Sequence, residues 1–218
     1  MPFFPPPVSP REDPHRWVLR AATVLWRVHD RKHPGTEFNP TRVDRYFGLS
    51  RFSGTGDDPY PYFYAAFTEP TALAEALLRG IPFPQQGKRT LQRKAVAGRR
   101  LSAVAIGHEL TLLSLVTGRD LAAVCQDEWL VQAEWKEFAQ TRHWAHWLRA
   151  QAPWAQGLIW PSKRNLSEHA VMLFGDRCGP DPLQPVAIPP VDLDDRAGAK
   201  WLNDALEPYG ARINPPRR

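Results

Sequence analysis

The segment "GLSRFSGTGDDPYPYFYAAFTEPTALAEALL", residues 48–78, commits the chain to a strand followed directly by a helix. It opens with Arg51 in a Ser/Gly-rich turn, and an acidic Pro-Tyr run follows. "FYAAF" (63–67) is short, aromatic and apolar, which reads as a buried strand. Thr68 then suits an N-cap, with Pro70 in the first turn. "PTALAEALLRG" reads as a helix that stops at Gly80, with Pro82 beyond it. Tyr64 is thereby placed on a strand, and Glu75 on an otherwise largely apolar helix.

The same signals recur on either side. "RWVLRAATVLWRV" (16–28) fits a helix or a strand, and the β-branched residues of its end, "TVLWRV", favour a strand there. "LSAVAIG" (101–107), "GLIWPS" (157–162) and "HAVMLFGDR" (169–177) are strand candidates, and "LTLLSLVTG" (110–118) fits either type. "QDEWLVQAEWKEFAQTRHWAHWLRAQ" (126–151) predicts one long helix. Val131, Trp135, Phe138, Arg142 and Ala145 recur on it at helical spacing, as do Trp144, Trp147 and Leu148, a pattern of core packing. Strands and helices alternate irregularly, which predicts an α+β (mixed α/β) fold and not a regular doubly wound sheet. Proline divides the chain into a Pro-rich N-terminal arm (1–15), a globular domain (16–178) and a Pro-rich extension (179–218). The extension carries a short helix candidate, "DRAGAKWLNDALEPYG", able to dock on the domain or on a partner.

Composition narrows the class. No apolar run approaches the length needed to cross a bilayer, and "MPFFPPPVSPREDP" lacks the basic-then-apolar layout of a signal peptide. No membrane association and a cytoplasmic location are expected. Cys125 and Cys178 have no metal-like spacing and are expected to be reduced thiols. The net charge of +5 is mild and spread, with clusters at 88–100 and at the terminal "PPRR" (215–218). It suits a solvated basic surface, or attraction of an anionic ligand or acidic partner. No nucleic-acid-binding module accompanies it, so direct specific nucleic-acid binding is not expected.

No Walker loop, dinucleotide glycine fingerprint, HExxH or CxxC is present, and His143 and His146 have no acidic or cysteine partner nearby in sequence, so no metal site is expected. What remains is polar residues at the edges of apolar elements. Arg27 ends "TVLWRV". Arg51 sits where a guanidinium and backbone donors can converge on a phosphate. Ser162 ends "GLIWPS". Each has a plainer reading: Glu75 pairing with Arg79 at i,i+4 on a solvated face, Tyr64 as a core ring, Arg27 and Arg51 as surface or paired arginines, Ser162 as a turn residue.

Taken together and in order, these residues resemble the RES domain, the toxin family of a bacterial toxin-antitoxin system. Trp26-Arg27 matches the family's early aromatic-arginine element. "SRFS" matches its G-R-W-N segment, with Ser50, Phe52 and Ser53 departing from it. "YAAF" with Tyr64, "ALAEALL" with Glu75, and "WPSKRNLSEHAVMLF" with Ser162 complete the set. The resemblance implies an ADP-ribosyltransferase-like core of two small antiparallel sheets flanked by helices around an NAD cleft. It implies NAD as substrate, with no permanently bound cofactor, and cleavage of the nicotinamide-ribose bond by hydrolysis or phosphorolysis, inorganic phosphate being the acceptor in the second case. ADP-ribosylation of a protein target, or a non-catalytic RES-like binding module, are the alternatives. The implied partner is an Xre-like helix-turn-helix antitoxin. Arg27, Arg51, Tyr64 and Ser162 would bind NAD, with Glu75, Arg51 and Tyr64 as the catalytic set.

Overall fold

The computed structural model describes residues 5–48 and 50–213; the terminal "PPRR" and the start of the proline-rich arm lie outside them. The chain adopts the expected mixed α/β architecture. Its strands are β1 (Arg16–Leu19), β2 (Val24–Asp30), β3 (Tyr62–Ala66), β4 (Arg89–Leu91), β5 (Arg99–Ile106), β6 (Leu110–Ser114), β7 (Gly157–Ser162), β8 (Asn165–Phe174), β9 (Leu183–Pro185), β10 (Val191–Asp192) and β11 (Ala211–Ile213). Its helices are α1 (Glu69–Leu77), α2 (Gly118–Ala123), α3 (Trp129–Gln132), α4 (Phe138–Gln151) and α5 (Arg196–Leu206).

Among the described residues nine strands form one sheet, eight along the path β1-β6-β7-β8-β3-β2-β5-β10 and β9 off it, paired with β5. The small sheets expected from sequence are thus limbs of a continuous sheet, and β6–β7 runs parallel within it. A separate parallel pair, β4 and β11, lies apart. The segment "RWVLRAATVLWRV" yields two strands that do not pair with each other. Ala22, at φ 62, turns the chain between them, so β1 goes to β6 and β2 to β3 and β5. "LTLLSLVTG" resolves as strand β6. The sheet continues beyond Cys178 through β9 and β10, and α5 packs its Leu202 and Leu206 into the same core as Leu73 and Leu77 of α1. Among the described residues no helix is long and apolar enough to cross a membrane.

Alternation along β3 sets up the site. Phe63 and Ala65 enter the core between the sheet limbs, with Leu25, Val104 and Val171. Tyr62 and Tyr64 face the opposite way, toward Trp144, Trp160 and Leu148 under α4. At the strand end Thr68 takes the extended N-cap conformation ahead of Pro70, but its hydroxyl bonds the Thr71 hydroxyl (2.6 Å) and not a helix amide. Beyond Leu78 the chain leaves the helix through Gly80 at φ +72.

The single helix expected over 126–151 is instead three pieces. Ala133 is extended (φ −48, ψ 141), Trp135–Glu137 forms a 3-10 turn, and only Phe138–Gln151 is a full helix. Glu134 restarts the chain with a reciprocal cap to Glu137. The Lys163 ammonium bonds both the Gln132 carbonyl and the Glu134 carboxylate, a tertiary anchor that local helical periodicity does not register. Trp135, expected in the core, is 57% exposed as a result.

Candidate active site

Three segments distant in sequence converge on α1: the loop 45–55, the break between α3 and α4, and the turn between β7 and β8. The loop has no regular structure, so its backbone groups need side-chain partners. Arg142 on α4 supplies three of them. Its Nη1 donates to the Gly48 and Ser50 carbonyls and its Nη2 to that of Arg45, each at 2.8 Å. Thr141 donates its hydroxyl to the Arg51 carbonyl (2.8 Å), Tyr60 donates to the Phe52 carbonyl (2.6 Å), and the Phe52 amide donates to the Tyr64 hydroxyl (2.8 Å). Arg142→Ala is therefore expected to lower unfolding stability by about 2–4 kcal/mol, since a buried charged donor serving three carbonyls is lost. Urea unfolding measures this, with faster amide exchange in residues 45–53; an unchanged midpoint would show that the loop is held by other contacts.

Glu75 stands at the meeting point. Its Oε1 accepts from the Ser162 hydroxyl (2.7 Å) and from the Lys163 amide (3.0 Å), and its Oε2 from Arg79 Nη2 (3.2 Å). Burial alone would raise its pKa. The charges of Arg79 and Arg51 and the hydrogen bonds from Ser162 and Arg79 outweigh burial, so the carboxyl is held below its ordinary range and is ionised at neutral pH. The i,i+4 pair with Arg79 exists, but not on a solvated face: the two side chains are 12% and 25% exposed and border a cavity.

That cavity, of about 490 Å³, lies among Trp26, Tyr64, Glu75, Arg79, Phe138 and Trp160, with Trp135 at its edge. A second cavity of about 650 Å³, more polar, is bordered by four of the same residues, Arg27, Val28, Tyr64 and Arg99, so the two adjoin. Each falls in the range of small-molecule sites. Burial raises the Tyr64 phenol, which stays neutral, and its ring meets Trp160 edge-on at 6.2 Å.

Of the five residues singled out from sequence, Arg27, Tyr64 and Glu75 border the cleft. Arg27 spends its guanidinium on the Gly35 and Glu37 carbonyls (3.2 and 2.6 Å) and stacks on Phe63 at 4.2 Å; burial lowers it to about 10, so it remains a cation. Ser162, fully buried, reaches Glu75 from behind. Arg51 is 1% exposed and stands behind the lining, 5.7 Å from the Phe138 ring and 6.0 Å from that of Trp160. One of its nitrogens meets the Ala133 carbonyl at 3.5 Å, and its Nε and Nη1 have no hydrogen-bond partner among the described residues. Burial lowers it to about 10, still cationic at neutral pH. Arg79, Arg99, Lys163 and Arg142 were not singled out as site residues. The signals for two of them were present, since Arg79 is four residues after Glu75 and Lys163 directly follows Ser162.

The RES domain family model matches residues 24–196. No curated protein matches the sequence. Among solved structures, the M. tuberculosis MbcT-MbcA toxin-antitoxin complex contains a chain with a similar fold. The TM-score is 0.53 at 16% identity, over 81% of this chain and 86% of that one.

Proposed function

The chain belongs to the RES domain family, and from that membership and the setting of Glu75 we propose that it is the toxin of a toxin-antitoxin pair and destroys NAD by cleaving the nicotinamide-ribose bond. The observation that carries the reading is an ionised, half-enclosed carboxylate, oriented by three donors, on the wall of an aromatic and arginine-bearing cleft. When the C1′–N bond of NAD breaks, its electron pair goes to the pyridinium nitrogen. Nicotinamide leaves neutral and needs no acid, and positive charge appears on the ribosyl carbon and ring oxygen. An ionised Glu75 facing that carbon stabilises the developing cation more than the ground state, which is what accelerates the step. The oxygen of water then bonds to C1′ and loses a proton, giving ADP-ribose; phosphate in the same place gives ADP-ribose 1-phosphate.

The other residues have supporting roles. Tyr64 and Trp160 offer aromatic surface to the nicotinamide and its ribose. Arg27 and Arg99 border both cavities with positive charge, suited to the pyrophosphate. Ser162 fixes the Glu75 rotamer, and Arg51 keeps that carboxylate charged from behind. An Xre-like helix-turn-helix antitoxin covering the cleft is the partner this reading requires, and NAD is a consumed substrate and not a resident cofactor. Purified protein mixed with NAD and phosphate should release nicotinamide, seen by proton NMR, with phosphorus NMR separating ADP-ribose from its 1-phosphate. Label transferred to protein would indicate the ADP-ribosyltransferase alternative, and intact NAD after prolonged incubation would sink the proposal.

A further inference from the structure

Resting on the reading of Glu75 as the catalytic carboxylate, we infer that Arg79 is a specificity-determining residue. In the free protein its guanidinium covers one oxygen of Glu75, and an anionic group of the substrate draws it off, so that phosphate-bearing substrates uncover the carboxylate they need. The two Glu75 oxygens are served very differently. Oε1 is held by two donors of the β7–β8 turn, the fully buried Ser162 hydroxyl and the Lys163 amide. Among the described residues, the hydrogen bond to Oε2 comes from Arg79 alone.

This arrangement contains a conflict. A cation sits against the carboxylate oxygen left to face a ribosyl centre on which positive charge must develop. Left there, Arg79 would oppose that charge. Its placement lets it leave. Arg79 lies past the last turn of α1, beside Gly80 in the left-handed region, and makes no other hydrogen bond among the described residues. Its guanidinium lies 5.3 Å from the Phe138 ring, a surface along which a planar cation can slide. The pair rests on one contact, Nη2 to Oε2 at 3.2 Å, and a quarter of the Arg79 side chain stays exposed. Among the described residues Glu75 is the only acidic one bordering this cavity, and a phosphate entering it would receive the displaced arginine bidentately.

The charges around Glu75 are Arg79 from its own helix segment and Arg51 from the loop; the β7–β8 turn offers it the Ser162 hydroxyl and the Lys163 backbone amide, the Lys163 ammonium being held by Glu134, and β3 the neutral Tyr64 phenol. Neutralising Arg79 therefore also moves the acid limb of the rate profile to higher pH, which a merely structural residue would not do. The experiment compares wild type with R79Q and R79K using three probes: NAD turnover, binding of ADP-ribose, which has two phosphates, and binding of nicotinamide riboside, which has none. For R79Q, KM for NAD and the dissociation constant of ADP-ribose should rise about tenfold, the loss of one charge-assisted phosphate contact. Riboside affinity should hold or improve, and R79K should fall between. Equal loss of both ligands, or an R79Q with wild-type KM and ADP-ribose affinity, overturns the inference. Wild-type protein that leaves NAD intact would sink the proposed reaction instead, and the ADP-ribose and riboside comparison would still decide the role of Arg79.

Discussion

Glu75→Gln is expected to lower kcat for NAD cleavage about 10²- to 10³-fold while leaving the thermal midpoint within a few degrees of wild type. Glutamine keeps an oxygen for the Ser162 hydroxyl and the Lys163 amide, so the anchored side of the residue survives. What it lacks is charge at the ribosyl carbon. The pH dependence follows from the direction of the shift. The folded-state pKa of Glu75 is depressed, so its contribution to stability is fully present above the unfolded carboxylate value. That contribution is lost only as pH falls through the lower, folded one. Wild-type kcat/KM, which reports the free enzyme, should likewise stay flat through neutrality and decline only in acid. NAD consumption by the Gln variant at the wild-type rate would remove Glu75 from the chemistry, whatever the pH profile.

Arg51→Met separates two roles that arginine can play. A guanidinium at 1% exposure with two unpartnered nitrogens is an expensive thing to bury, and apolar replacements of similar volume at such positions are often neutral or stabilising. Met preserves contact with Phe52, Phe138 and Trp160, and the melting temperature should hold or rise. Activity should still fall, by about tenfold to a hundredfold, because the charge that helps keep Glu75 ionised is gone. The acid limb of kcat should move upward in pH. A stability loss of several kcal/mol would make Arg51 a structural residue. A rise in KM with kcat unchanged would show instead that it reaches the substrate, as its match to the G-R-W-N segment suggests.

The strand-helix unit 62–78 was legible because its signals are local: an apolar aromatic run, Thr68, Pro70, then alanines and leucines. Glu75 and Tyr64 could be placed on their elements for the same reason. The contact between Glu75 and Ser162 spans 87 positions, so no spacing rule reports it. The break at Ala133 was hidden because "VQAEWKEF" keeps helical periodicity, and what interrupts it is an ammonium from Lys163 about thirty residues on. Arg51 was misleading in a similar way. A Ser/Gly-rich turn predicts exposure, but the clasp of Arg142 and Thr141, some 90 positions away, with Tyr60 and Tyr64, folds that turn inward.

The order in which the Glu75 setting is completed has a temporal consequence. Its helix and Arg79 are made early, but the hydroxyl and amide that orient the carboxylate arrive 87 and 88 residues later. At ribosomal speeds of about 5–20 residues per second, that gap is roughly 4–18 s. Through that interval the nascent chain carries the Glu75 carboxylate without the two donors that orient it, so on the proposed reading it would not yet cleave NAD. The oriented carboxylate comes into being only when the β7–β8 hairpin closes. If the chain is the toxin proposed above, a cell making it has a built-in delay in which a neutralising partner can already be waiting.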